Sequence, residues 1–367
     1  MNEVRAYIAD SIFTGDKFLP AHAVLVSEGK VAGLLPQNEV PDSVKPTYFH
    51  NAIIAPAFID VQIYGASKKL FSAWPDPLSL ELLVNHNRTG GTFLCLPTIA
   101  TSSYDVYRSG IDAMRTYWNN GGGGVYGLHL EGPWINPVRK GAHAEQWIVR
   151  PTMDAVADLL SYGKDVIRMI TLAPEVCDAA IIDYILQQGI IVSVGHSNAT
   201  YGESIAAFDS GIPAVTHLFN AMSPFHHRAP GLPGATMDHS KVMASVVADG
   251  IHVDYPALRI AKQVMKERLF VITDAVTDSE TGPYLHKAAG NKFESGGILS
   301  GSSLTMNQAV RNLVEKVNIS MEEALRMCSL YPARLLGIDH QSGKIQEGYT
   351  ASMVVLDKQS GVVDLIG

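Results

Sequence analysis

The feature that most restricts this chain is an alternation. From residue 53 to residue 273, short apolar, β-branched runs are followed repeatedly by helical patterns. The strand candidates are 53–61, 93–98, 124–130, 166–172, 190–195, 213–217, 242–248 and 269–273. Helical stretches such as 78–88, 153–163, 177–188, 201–210 and 255–267 lie between them. Continuous apolar runs mark strands covered on both faces, as in a parallel sheet wrapped by helices. Eight β–α units in about 220 residues predict an α/β fold of the (β/α)8 TIM-barrel type. A doubly wound open sheet is the other arrangement of the pattern. No Gly-x-Gly-x-x-Gly turn follows an early strand, which counts against its dinucleotide-binding version.

The ends of the chain have a different texture. Residues 1–52 and 340–367 read as short strands and turns, with hairpin turns marked by Asp16 and by Gly29 and Lys30. Strand-rich ends around a different middle predict one small β-sandwich domain built from both termini, and a catalytic barrel over 53–339.

Composition narrows the class of partner. The formal net charge is −8 and no stretch clusters Lys or Arg, so a nucleic-acid partner is not expected. Cys95, Cys177 and Cys328 are odd in number and far apart, which argues against a disulfide framework or a cysteine metal site. They read as small buried hydrophobes in a reducing compartment. The segment MNEVRAYIADSIFTG lacks a basic stretch followed by an apolar one, and no window reaches the ~18 apolar residues of a membrane span. The expectation is a cytoplasmic protein with no membrane partner.

The chemistry gathers where strands stop. Glu131 follows LHL, His196 follows IIVSVG, His217 stands in THLFNAM and Asp274 in VITDAV. In a barrel, all C-terminal strand ends open onto one face. Taken singly, each residue has a plain structural reading: a hydrogen-bonded histidine, a helix-terminal glutamate, an aspartate N-cap. Four on one face point instead to a divalent-metal site. Neutral imidazole and carboxylate suit zinc or ferrous iron, and three protein ligands leave a position for water. NNGGGG (119–124) lacks Gly-Lys-Ser and reads as a turn rather than a phosphate loop.

The segments HLEGPW, GHSNAT, THLFNAM, ADGIHVDY, VITDA and LSGSSLTM occur in that order, followed by LYPARLLGI and GKIQEGYTASMVVLD. Together they resemble the N-acetylglucosamine-6-phosphate deacetylase family of the amidohydrolase superfamily. The resemblance implies a metal-dependent barrel that hydrolyses an amide, releasing acetate from a small amino-sugar phosphate. It implies that Glu131, His196 and His217 bind one divalent ion per subunit, zinc or alternatively iron. Asp274 would be the catalytic acid and base, and His143 would sit by the scissile carbonyl. Gln62, Ala142, Asn220, Ala221, Arg228, His252, Leu299, Ser300 and Gly301 would contact sugar and phosphate. A homodimer is implied, with a neighbouring subunit contributing to the phosphate pocket. The alternative is another amidohydrolase acting on a different N-acyl sugar or small amide.

The chain departs from the family pattern in places. Asp60-Val61-Gln62 stands where many amidohydrolases carry His-x-His, as in deacetylases that work with one metal. IYGASKKLF replaces a Gly-rich turn containing Asn-Gly; Ala57 and Ser352 stand where Gly and Asp are usual. SPFHHRAPG, which holds His226, His227 and Arg228, also has a plain reading as an exposed polar loop.

Overall fold

The alternation is realised as a parallel eight-stranded sheet. The computed structural model describes residues 4–367; Met1, Asn2 and Glu3, where the expected β domain begins, lie outside the described residues. The barrel strands are β1 (Phe58–Ile63), β2 (Thr92–Ala100), β3 (Leu128–Glu131), β4 (Ile167–Leu172), β5 (Ile191–Val194), β6 (Ala214–Val215), β7 (Met243–Val247) and β8 (Leu269–Ile272). Each is hydrogen-bonded to its neighbours in sequence. The two edges meet just beyond the last residues of β1 and β8. There the Asp274 amide donates to the Gln62 carbonyl at 3.0 Å, and the Tyr64 amide donates to the Ala275 carbonyl at 2.9 Å. The sheet therefore curls round on itself, as the barrel reading requires.

The helices that follow the strands in sequence are α1 (Pro77–Thr89), α2 (Tyr104–Asn119), α3 (Met153–Gly163), α4 (Ala179–Gln187), α5 (Tyr201–Asp209), α6 (Gly231–Asp238), α7 (Tyr255–Met265) and α8 (Met306–Asn312). In α2 the Ser103 hydroxyl caps the first turn by accepting from the Val106 amide. Among the described residues, no helix is long and apolar enough to cross a membrane.

The strand expected over 53–61 is in fact two. Pro46–Pro56 belongs to the terminal sheet, and the barrel strand starts at Phe58. The chain changes sheets at Ala57, whose amide donates to the Ser352 carbonyl while that of Phe58 donates to Gly91. Both halves are buried, so hydrophobicity carries no mark of the change. Strand 124–130 also shrinks, to Leu128–Glu131.

The terminal strands are Arg5–Phe13, Phe18–Pro20, His22–Ser27, Lys30–Pro36, Pro46–Pro56, Met353–Asp357 and Val362–Ile366. They form one mixed sheet drawn from both ends of the chain. Lys30, on the far edge strand, is bridged to Thr350, just before the strand at 353–357. The sheet thus bends back over a core that includes Ile12, Val24, Ile54, Met353 and Val355. Burying each such side chain stabilises by ~1.5–3 kcal/mol before chain entropy is counted.

Two compact units result. One holds the terminal strands together with residues 87–94 and 305–367; the other runs over Val61–His86 and Cys95–Leu304. The second unit contains the whole constellation described next.

Candidate active site

Local backbone aims the strand-end side chains. His196, His217 and Asp274 have φ of 49°, 36° and 53°, the left-handed region that L-residues seldom occupy. At each of them the strand breaks. Glu131 is the last residue of β3, and Gly132 follows it with φ 89°. A Cβ at Gly132 would lie 2.1 Å from Thr101 Oγ1, so only glycine allows the chain to turn there. The loop after His196 is pinned from several sides. Glu175 accepts from Ser197 Oγ at 2.7 Å and from the Asn198 amide at 2.6 Å. A Thr200–Glu203 capping box then starts α5. Such a cap is worth about 1 kcal/mol.

The side chains converge. His217 Nε2 lies 3.0 Å from Glu131 Oε1 and 3.1 Å from His196 Nε2, and His196 Nε2 lies 3.3 Å from Glu131 Oε1. His196 Nδ1 faces the Arg139 carbonyl at 2.9 Å, which places its proton there and leaves Nε2 a lone pair. Burial lowers the pKa of His217, so its ring is neutral at pH 7. Burial works to raise the pKa of Glu131, but the imidazoles of His196 and His143 outweigh it and hold the carboxyl well below its usual range. The centre is an ionised carboxylate and two imidazoles turned on one point.

Distance alone also groups His143 with Glu131 and His196, their ligand atoms lying within 4.8 Å of one another. Hydrogen bonding separates His143 from the other two. The Thr101 amide can only donate, and it donates to His143 Nδ1 at 3.3 Å. Nδ1 also lies 2.7 Å from the Thr101 hydroxyl, which can serve as donor or acceptor; Nε2 faces the ionised Glu131 Oε2 at 3.1 Å, an acceptor for the proton on Nε2. Burial, then the neighbouring His196, brings the pKa of His143 down to about 4. It is a neutral hydrogen-bond donor at this point, whereas His217 offers its Nε2 inward. Its other nitrogen, Nδ1, is buried without a hydrogen-bond partner among the described residues.

Asp274 lies alongside. Gln62 Nε2 donates at 3.0 Å both to Glu131 Oε1 and to Asp274 Oδ1, tying the two carboxylates together. Gln62 is itself almost wholly buried and does not line the opening. Above the convergence point is a cavity of about 370 Å³. Ala142, His143, Asn220, Ala221, His252, Asp274, Leu299, Ser300 and Gly301 all line it. Asp249 steadies His252 by accepting at Nδ1, 2.6 Å away. Arg228 is not brought to the cavity: it is exposed, on a tight turn closed by the pair of bonds between His226 and Ala229.

The cavity also has walls that the motifs did not single out. Tyr64 is one; it directly follows β1, so the strand-end rule applied to the first strand would have found it. Tyr284 and His286 are two more, from the long excursion after β8. His286 Nδ1 is 2.8 Å from Ser300 Oγ, and its ring stacks on Tyr284. No periodicity in that excursion points inward.

Comparison with known proteins agrees with this geometry. The amidohydrolase family matches residues 53–366. N-acetylglucosamine-6-phosphate deacetylase of Haemophilus influenzae is 32% identical over 366 residues, spanning 97% of this chain and 96% of that protein. N-acetylgalactosamine-6-phosphate deacetylase of Escherichia coli is 32% identical, spanning 95% and 94%. The crystal structure of N-acetylglucosamine-6-phosphate deacetylase from Pasteurella multocida superposes with a TM-score of 0.94 at 32% identity, covering 99% of this chain and 98% of that one. A barrel that gathers a carboxylate, two imidazoles and a second carboxylate at one mouth, on a sequence matched this far, belongs to the amidohydrolase family and falls among its N-acetylglucosamine-6-phosphate deacetylases.

Proposed function

We propose that Glu131, His196 and His217 hold one divalent cation, zinc before ferrous iron, and that the acetyl group of N-acetylglucosamine 6-phosphate is cleaved beside it. The observation that carries this is the mutual approach of Glu131 Oε1, His196 Nε2 and His217 Nε2 within 3.0–3.3 Å, with Asp274 linked to Glu131 by two hydrogen bonds through Gln62. Electron-pair donors crowded on one point call for a positive charge between them. One carboxylate and two imidazoles suit zinc and also admit ferrous iron.

When bound, the cation polarises the amide carbonyl and acidifies water. The residues do the rest. Asp274 accepts the proton of the water that attacks the acetyl carbon, then delivers it to the sugar nitrogen as the C–N bond breaks. His143 directs its Nε2–H to the carbonyl oxygen as negative charge develops there. Gln62 acts on the substrate through the carboxylates it joins. Ala142, Asn220, Ala221, His252, Leu299, Ser300 and Gly301 enclose the sugar. Arg228 offers the phosphate a permanently charged planar fork from the exposed turn. The protein would work in the cytoplasm as a homodimer, with the neighbouring subunit helping to close the phosphate pocket. Acetate and glucosamine 6-phosphate are the products.

The Escherichia coli relative supports a second reading, in which the galacto epimer is preferred. Initial rates with both phosphorylated epimers, and with unphosphorylated N-acetylglucosamine, separate the two. The expected order in kcat/KM places N-acetylglucosamine 6-phosphate first. Arg228→Ala should raise KM for the phosphorylated sugar about tenfold or more while leaving the unphosphorylated one nearly unchanged. A higher kcat/KM for the galacto epimer would select the second reading, and equal effects of the substitution on both sugars would remove Arg228 from phosphate binding.

A further inference from the structure

Glu131 has two oxygens, and they have different company. Oε1 faces His196, His217 and Gln62. Oε2 receives the Tyr64 hydroxyl and, at 3.1 Å, His143 Nε2–H. Gln62 Nε2 also lies 2.6 Å from the Tyr64 oxygen, sharing its two hydrogens among that oxygen and the two carboxylates, and the phenol gives its own proton to Glu131.

The backbone allows the phenol little freedom. The Tyr64 amide donates to Ala275, and its carbonyl accepts from the Phe71 amide at 2.8 Å. Between Tyr64 and Phe71 the chain makes a two-residue hairpin turn through Ser67 (φ 51°) and Lys68 (φ 65°), with Gly65 opposite Leu70. A Cβ at Gly65 would come 2.2 Å from the Lys69 carbonyl oxygen. The ring itself packs with Leu70, Ala100, Val276 and Tyr284. This hairpin is the stretch IYGASKKLF, where the chain leaves the family pattern.

We propose that Tyr64 is a positioning residue for the metal centre. Its hydroxyl occupies Glu131 Oε2 even when His143 turns its Nε2–H to the substrate, so that Glu131 presents Oε1 alone to the cation and binds through one oxygen rather than two. This rests on the metal reading of Glu131 given above. Partners that orient a metal ligand in this way typically change metal affinity 10- to 100-fold when removed.

The test compares wild type, Tyr64→Phe and Tyr284→Phe. Tyr284 lines the same cavity, but its hydroxyl bonds the Thr101 carbonyl and no ligand. Two readouts are taken on the full chain: Zn²⁺ affinity by competition with a chelating dye, and the visible absorption of the Co²⁺-loaded protein, which strengthens as coordination number falls. Tyr64→Phe should bind Zn²⁺ about 10- to 100-fold more weakly and show a weaker Co²⁺ band, as the freed oxygen enters the coordination sphere. Tyr284→Phe should stay within about twofold of wild type in affinity and keep its spectrum. Unchanged affinity in Tyr64→Phe, a loss without spectral change, or an equal loss in Tyr284→Phe would overturn the proposal. A wild-type protein that binds neither ion would instead overturn the functional reading on which it rests.

Discussion

Left-handed backbone at residues other than glycine occurs both in the terminal sheet and at the barrel mouth, with different meaning. In the sheet it falls on Ala21, Glu28 and Asn51, which are exposed, and on Ser360, which is buried. Glu28 sits in the turn between the strands at 22–27 and 30–36, where the chain must reverse. At the mouth it falls on His196, His217, Phe219, Ala221 and Asp274. His196, His217 and Asp274 are buried there and carry the proposed chemistry. Such conformations cost ~1–3 kcal/mol each and persist only where surrounding structure imposes them. In the sheet such backbone serves the course of the chain, at the reversals of Glu28 and Ser360 and within the strand at Asn51, whereas at the mouth it aims buried polar side chains. The cores differ to match. The sheet encloses an apolar cluster around Ile12, Val24 and Ile54, whereas the mouth buries carboxylates and imidazoles.

The contrast breaks most visibly if a mouth residue is changed without disturbing its shape. Asp274→Asn should lower kcat by about 10³-fold, near 4 kcal/mol in the barrier, with the urea midpoint almost unmoved. Near-normal turnover would remove Asp274 as the proton carrier. Ile54→Ala is the converse. Ile54 is fully buried in the sheet core, so the substitution should cost about 3 kcal/mol in unfolding free energy while kcat/KM per folded molecule stays the same. A variant of normal stability and reduced activity would show that the sheet shapes the chemistry directly.

A smaller effect sharpens the same contrast through pH. Burial, and secondarily His143, brings the pKa of His286 down to about 4. The unfolded chain takes up that proton near pH 6.5, while the folded one does so only near 4. Between those values the unfolded state binds more protons, so stability is fully present above pH 6.5 and declines as pH falls toward 4. His286 alone should account for about 2 kcal/mol of loss between pH 7 and pH 5. His286→Gln should flatten the pH dependence of the urea midpoint by that amount; an unaltered slope would mean that the ring is charged in the folded state.

Much of this was legible before the fold was seen, and the reasons are physical. Glu131, His196, His217 and Asp274 stand out because a polar residue ending an apolar strand is costly unless something at the strand mouth uses it. Tyr64 obeys the same rule after β1, but a tyrosine next to an apolar strand also reads as core. The division of 53–61 at Ala57 was hidden because the run is apolar on both sides of the crossing. Tyr284 and His286 were hidden because they arrive on the irregular segment between Thr273 and the short strand at Lys287–Ala289, where neither the helical nor the strand period applies.

The account stands on a single cation held by Glu131, His196 and His217, and metal content measures that claim most directly. After incubation with Zn²⁺ and removal of the excess, elemental analysis should find about one ion per wild-type chain and almost none in Glu131→Gln. A wild-type chain that carries no ion yet hydrolyses the sugar phosphate at full rate would contradict it.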